Sequence, residues 1–123
     1  MNEGNLVCVV DDDESVRDSL PDLLQQFGLV ARAFSSGVDF LGSGLVDAAS
    51  CMILDIAMPD MTGPDLFQEL RRLGKATPVI FITGQADEGV RQQLIARGAI
   101  DCLFKPFSES ALLDAIDAAL QRR

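Results

Sequence analysis

Histidine is absent from this chain of 123 residues. Without an imidazole, the chain cannot contain a Ser-His-Asp or Cys-His nucleophile or a His-ligated zinc site. A metal site would therefore be built from oxygen ligands, which favour a hard ion such as Mg²⁺. Covalent chemistry would have to use a carboxylate, an amine, a hydroxyl or a thiol.

Long apolar runs are also missing, since none reaches the roughly 20 residues that a membrane-spanning helix requires. The N-terminal residues Met1–Asn5 lack the basic region and apolar stretch of a signal peptide. We therefore expect a cytoplasmic protein that does not associate with membranes.

Positive charge is scarce. The chain has 10 Lys and Arg residues against 19 Asp and Glu residues, for a formal net charge of -9. A surface of this charge repels phosphate backbones. We therefore expect no direct binding of DNA or RNA by this domain.

Cysteine is sparse and odd in number. Cys8, Cys51 and Cys102 are widely spaced, and each lies in an apolar run. Free cysteines are among the most frequently buried residues, so this pattern predicts reduced core thiols without disulfides.

The length and composition are those of one globular domain, with 48% hydrophobic and 24% charged residues. We expect this domain to cover residues 1–123. Short apolar runs alternate along it with segments of helical periodicity. We predict strands over 6–10, 29–34, 51–54, 79–83 and 100–104, and helices over 14–27, 38–42, 87–97 and 108–120. A further helix, through Leu66, Leu70 and Leu73, is predicted to end at Gly74.

Alternating strands and helices predict a parallel sheet with right-handed crossovers. Five strand–helix units are too few for a closed eight-stranded barrel. The remaining α/β architecture is a doubly wound (βα)5 three-layer sandwich of the flavodoxin-like kind, with strand order 2-1-3-4-5. In such sheets the ligand binds beyond the carboxyl ends of the strands, between strands 1 and 3.

Polar residues follow the carboxyl ends of four predicted strands. Asp11–Asp13 follow the first, Asp55 the third, Thr83 ends the fourth, and Lys105 with Pro106 follows the fifth. Taken singly, each has an ordinary explanation as a helix-terminal carboxylate, a turn residue or a solvated lysine. Together they predict a pocket of carboxylates with a hydroxyl and an ammonium, in which a divalent cation would offset the negative charge.

These motifs make the whole chain resemble a response-regulator receiver domain of two-component signalling, of the CheY-like superfamily and FixJ type. The resemblance rests on the segments 10–13, 54–63, 82–84 and 105–107, with additional support from 96–99.

The resemblance implies that Asp55 is the phosphoryl acceptor from a phosphohistidine of a sensor histidine kinase. It implies Mg²⁺ bound directly by Asp12, by Asp55 and by the backbone carbonyl of Ala57, and through water by Asp11. Lys105 would neutralise phosphoryl oxygens, and Thr83 would donate its hydroxyl to the phosphoryl group. The peptide bond before Pro106 is expected to be cis.

One position departs from the family pattern. Cys102 stands three residues before Lys105, where the family carries an aromatic residue that rotates on activation. A thiol cannot act as that aromatic lever. We therefore expect the switch to proceed through Thr83 and the loop that follows, or to be muted.

Three other functions fit the sequence less well. A haloacid-dehalogenase-like phosphatase needs a second Asp two residues after the first, where this chain has Ala57. A flavodoxin-like FMN carrier needs a phosphate-cradling loop after the first strand, where this chain has three aspartates, and it has neither Trp nor Tyr to stack on the flavin. Intact Asp55, Thr83 and Lys105 argue against an unphosphorylated pseudo-receiver.

The resemblance implies a domain that catalyses only its own phosphorylation and dephosphorylation. Phosphorylation would control either an output domain that regulates transcription or a separate partner. We also expect a phosphorylation-dependent homodimer through the fourth helix, fifth strand and fifth helix.

Overall fold

The computed structural model describes residues 5–121. Five strands and five helices alternate along the chain. The strands are β1 (Leu6–Val10), β2 (Val30–Phe34), β3 (Cys51–Asp55), β4 (Val79–Thr83) and β5 (Asp101–Phe104). The helices are α1 (Glu14–Gln26), α2 (Gly37–Leu41), α3 (Gly63–Arg72), α4 (Glu88–Ala96) and α5 (Glu109–Gln121).

All strand pairs are parallel, and their order in the sheet is β2-β1-β3-β4-β5. The predicted doubly wound architecture is therefore confirmed. The predicted ends of the strands and helices mostly lie within one residue of those observed; β5, for example, begins at Asp101 rather than Ile100.

The central strands are buried on both faces because helices cover both sides of the sheet. One apolar cluster joins alternate strand residues such as Val9 and Ile53 to α1 and α5. The other joins their neighbours, such as Leu54 and Phe81, to α2, α3 and α4. The chain therefore forms three layers, with the carboxyl ends of all strands along one edge of the sheet.

Polar residues cap the helices that follow those strand ends. The side chain of Asp13 accepts a hydrogen bond from the Ser15 backbone at the start of α1. Thr62 and Asp65 form a reciprocal capping box on α3. These caps fix where each helix begins, and so fix the loops that carry the site residues.

Within residues 5–121, every helix falls short of the length and apolar character required to span a bilayer. The expectation of no signal peptide concerns residues 1–5, of which residues 1–4 lie outside the described part of the chain.

Candidate functional site

Three carboxylates meet where β1 and β3 end side by side. One ligand oxygen from each of Asp11, Asp12 and Asp55 lies within 4.8 Å of the others. Asp11 and Asp55 are buried, whereas Asp12 is exposed. The sheet order produces this cluster, because β1 and β3 are direct neighbours although Asp11 and Asp55 are distant in the sequence. The cluster predicted from the strand ends is therefore present.

Lys105 supplies the positive charge of the cluster. Its Nζ lies 3.0 Å from Oδ2 of Asp11 and 3.5 Å from Oδ1 of Asp55. Lys105 follows β5, and its backbone N–H donates to the Thr83 carbonyl at 2.7 Å. The Lys105–Pro106 peptide bond is cis, as predicted.

The cluster raises the pKa of both Asp55 and Lys105. Burial, followed by the negative charge of Asp11, raises the pKa of Asp55 to about 6, although Lys105 opposes this rise. For Lys105, burial lowers the pKa, but its hydrogen bond and charge interactions with Asp11 and Asp55 outweigh burial and leave the pKa above its usual value. A group that brings additional positive charge here would relieve the repulsion between the carboxylates.

Asp11 is held from several sides. Its Oδ1 accepts a hydrogen bond from the Asp13 backbone at 2.9 Å, and its Oδ2 accepts one from Lys105. Its backbone N–H donates to the Phe34 carbonyl at 3.1 Å. The exposed Asp12 carboxylate, by contrast, accepts no hydrogen bond from any residue between 5 and 121. Asp12 therefore offers the most accessible carboxylate oxygens of the cluster.

The loop between β3 and α3 folds tightly over the end of β3. The Gly63 backbone N–H donates to the Ile56 carbonyl at 3.0 Å. A Cβ added at Gly63 would lie 2.3 Å from the Asp55 carbonyl oxygen, so only glycine allows this close approach. The same loop carries Ala57, which is exposed and whose carbonyl accepts no hydrogen bond from the described residues. It also carries Asp60, with a positive φ of 66°.

Thr83 ends β4 beside the end of β3 and is buried. Its hydroxyl oxygen accepts a hydrogen bond from the Gln85 backbone N–H at 3.1 Å. This bond connects the hydroxyl directly to the loop that leads to the Asp87 cap of α4.

Cys102 is a buried core residue, 2% exposed, in the cluster that contains Phe81 and Leu94. Burial raises the pKa of its thiol to about 11. Its backbone carbonyl accepts a hydrogen bond from Nε of Arg91 on α4 at 3.2 Å, and Nη2 of Arg91 also contacts Asp101. All three cysteines are free and buried, as predicted.

Sequence reasoning missed two contacts at this site: the approach of Gly63 to Asp55 and a hydrogen bond from Arg17 to the Asp11 carbonyl. The approach of Gly63 to Asp55 could have been suspected from the sequence, because Gly63 stands directly before a proline and a segment of helical periodicity. Nothing in the sequence pattern signals the second.

A cavity of about 430 Å³ lies elsewhere, at the opposite edge of the sheet. Its lining includes Ser50, Pro78 and Ile100, which precede β3, β4 and β5. This cavity and the titratable cluster are therefore separate. The cluster is the candidate site, because it alone of the two combines buried carboxylates, an ammonium and a shifted pKa.

Comparison with known proteins agrees with the geometry. The response regulator receiver domain family matches residues 7–117. Response regulator protein TodT of Pseudomonas putida is 39% identical over 120 residues, which cover 98% of this chain and 53% of TodT. The chain thus spans about half the length of such relatives.

Two solved structures are similar throughout the chain. The response regulator StyR matches with a TM-score of 0.88 and 39% identity, over 97% of this chain and 60% of StyR. The crystal structure of FixJ-N matches with a TM-score of 0.86 and 31% identity, over 98% of this chain and 97% of that chain. The chain belongs to the response-regulator receiver family, the phospho-accepting signalling domains of two-component systems.

Proposed function

We propose that Asp55 accepts the phosphoryl group and that Asp11, Asp12, Thr83 and Lys105 assist the transfer. The observation that carries this assignment is the position of the Asp55 carboxylate. It is buried at the end of β3, 3.5 Å from the Lys105 ammonium and within 4.8 Å of the other two carboxylates. Burial and the negative charge of Asp11 also raise the pKa of Asp55 to about 6.

The proposed donor is a phosphohistidine of a sensor histidine kinase. An oxygen of Asp55 forms a bond to phosphorus as the bond from phosphorus to the imidazole nitrogen breaks. The electron pair of that bond returns to the nitrogen, which takes up a proton. Lys105 balances the negative charge on the phosphoryl oxygens, and such electrostatic stabilisation is the main requirement of phosphoryl transfer.

The donor set fits Mg²⁺, a hard ion that takes carboxylate, carbonyl and water oxygens. Asp12 and Asp55 would bind it directly, together with the backbone carbonyl of Ala57. Asp11 would hold it through water, because both of its carboxylate oxygens already accept hydrogen bonds. When bound, Mg²⁺ would supply positive charge beside the transferring phosphoryl group.

The conformational output would begin at Thr83. Donation of its hydroxyl proton to a phosphoryl oxygen on Asp55 would reorient the hydroxyl, whose oxygen now holds the Gln85 backbone N–H. The change would pass along the loop to α4. Cys102 is too small to rotate as an aromatic lever, so the backbone around Thr83 would carry the shift.

We further propose that residues 1–123 form one receiver domain, which catalyses only its own phosphorylation and dephosphorylation. This domain would control an output domain or a partner that regulates transcription. It would not itself bind nucleic acid. Phosphorylation would favour a homodimer through α4, β5 and α5. Sedimentation with and without beryllofluoride tests the homodimer, which is rejected if both samples are monomeric.

The deciding experiment is intact mass after incubation with acetyl phosphate and Mg²⁺. We expect the mass of one phosphoryl group to be added, and this gain to disappear with a chelator and in Asp55→Asn. Asp60→Asn, an exposed carboxylate of the same loop, serves as the matched control and should be modified normally. Modification that persists in Asp55→Asn would reject Asp55 as the acceptor.

A further inference from the structure

Arg17 reaches from α1 back to the end of β1. Its Nη1 donates a hydrogen bond to the backbone carbonyl oxygen of Asp11 at 3.0 Å. The side chain is half-buried. Its own backbone N–H donates to the Asp13 carbonyl at 3.2 Å, within the capped first turn of α1. The guanidinium is thus attached to a helix whose start is already fixed.

The acceptor of this bond belongs to the peptide that joins Asp11 to Asp12. The Asp11 side chain is held independently, by the Asp13 backbone and by Lys105. The exposed Asp12 carboxylate has no hydrogen-bond donor among residues 5–121. The backbone position from which that carboxylate extends is set by the peptide before it, and Arg17 holds the carbonyl of that peptide.

Arginine suits this task better than most side chains. Its guanidinium is always charged, and its donors have a rigid planar geometry. It also places a cation beside a cluster of aspartates, so a test must separate orientation from charge. Partners of this kind, which hold a metal ligand without touching the metal, typically change metal affinity about 10- to 100-fold when they are removed.

We propose that Arg17 is a positioning residue, which orients the Asp11–Asp12 peptide and thereby presents the Asp12 carboxylate to Mg²⁺. The inference rests on the proposed function, since it assumes that Asp12 binds the metal. Arg17 itself contacts neither the metal nor the phosphoryl group.

The test compares Mg²⁺ affinity by isothermal titration calorimetry in the wild type, Arg17→Met and Arg17→Lys. We expect Arg17→Met to weaken Mg²⁺ binding by about 10-fold. Arg17→Lys, which retains a donor and the charge, should recover part of that loss. Arg97→Met is the matched control, because Arg97 follows α4 at the far end of the sheet and forms no ion pair within residues 5–121. A dissociation constant in Arg17→Met equal to that of the wild type would overturn the proposal.

High salt separates orientation from charge. At about 0.5 M KCl the Debye length is only a few ångströms, so an effect of charge alone should largely disappear. We expect the defect of Arg17→Met to persist, and its disappearance would overturn the positioning role. The Asp12 amide should also shift in ¹H–¹⁵N spectra of metal-free Arg17→Met; an unchanged amide would likewise count against the proposal.

Phosphorylation kinetics provide a further distinction. With acetyl phosphate, Arg17→Met should need more Mg²⁺ for half-maximal rate yet approach the wild-type rate at saturating Mg²⁺. A defect seen only with a histidine kinase would instead identify Arg17 as a docking residue and reject the proposal. If wild-type protein bound no Mg²⁺, the proposed function would fail. If Asp12→Asn lost Mg²⁺ while Arg17→Met kept it, only the present inference would fail.

Discussion

The Lys105 ammonium donates a hydrogen bond to Oδ2 of Asp11 at 3.0 Å, although 94 positions of sequence separate the two residues. Asp11 follows β1 and Lys105 follows β5, and two strands lie between them in the sheet. The Asp11 side chain is fully buried. Since an unpaired buried charge is costly, this ion pair stabilises the carboxylate cluster and keeps the ammonium beside Asp55.

Removal of the Lys105 charge should impair phosphorylation. We expect Lys105→Met to slow phosphorylation by acetyl phosphate on the order of 100-fold, because charge stabilisation of the phosphoryl oxygens is lost. The chain's other lysine, Lys75, pairs with Asp47 and provides a charge-matched control. Lys75→Met should react at the wild-type rate in a time course of intact mass. Equal rates for the two variants would contradict the proposed role of Lys105.

Asp55 should destabilise the metal-free protein in a pH-dependent way. Burial and the charge of Asp11 raise its pKa to about 6 in the folded state, whereas an unfolded Asp has a pKa of about 3.9. Because its pKa is higher in the folded state, Asp55 binds its proton more tightly there than in the unfolded chain. The free energy of unfolding therefore falls as pH rises from about 4 through 6 and the carboxyl ionises. Above pH 6 the ionised carboxylate therefore costs the folded state free energy.

Asp55→Asn should accordingly increase the free energy of unfolding in EDTA, by on the order of 1–3 kcal/mol at pH 8 and by much less at pH 4. Urea unfolding followed by circular dichroism at several pH values measures this difference. Asp60→Asn, an exposed site, should change stability little at either pH. A gain for Asp55→Asn that is the same at both pH values would show that repulsion within the cluster is not its source.

Replacement of Gly63 by alanine should reduce both stability and Mg²⁺ binding. In Gly63→Ala the added Cβ would stand 2.3 Å from the Asp55 carbonyl oxygen, so either the loop or the end of β3 must move. We expect a loss of about 1–3 kcal/mol in unfolding free energy, typical of overpacking, together with weaker Mg²⁺ binding.

Gly84→Ala is the control for this substitution, because a Cβ there meets no atom within 4 Å although Gly84 adjoins Thr83. It should change neither stability nor Mg²⁺ binding appreciably. The explanation fails if the two alanine variants behave alike in urea unfolding and calorimetry.

Thr83→Val should separate phosphorylation from its conformational effect. Valine keeps the shape of threonine but removes the hydroxyl, so Asp55 should still be modified while the Gln85 N–H loses its acceptor. The lost hydrogen bond should cost about 1 kcal/mol of stability. Beryllofluoride-induced changes in amide shifts along 84–91 should be lost in Thr83→Val and retained in Thr83→Ser. Full shifts in Thr83→Val would show that the switch does not pass through this hydroxyl.

Local pattern determined most of the secondary structure. The helices predicted over 14–27 and 108–120 begin within one residue of α1 and α5, and the side chains of Asp13 and Ser108 accept hydrogen bonds from the first turns of these helices. The apolar runs predicted the strands, and the alternation of strands with helices predicted the order of the strands in the sheet. The candidate cluster also followed from sequence, because the carboxyl ends of parallel strands share one edge of the sheet.

Tertiary structure alone decided the distances on which the proposed chemistry depends. The Lys105–Asp11 pair, the approach of Gly63 to Asp55 and the bond from Arg17 to the Asp11 carbonyl all depend on how separate elements pack. The raised pKa of Asp55 likewise depends on burial and on neighbouring charges. Hydrophobic periodicity and capping act over a few residues, so they determine local structure. Contacts between strand ends and loops depend on the packed arrangement of the whole sheet, and only folding brings those groups together.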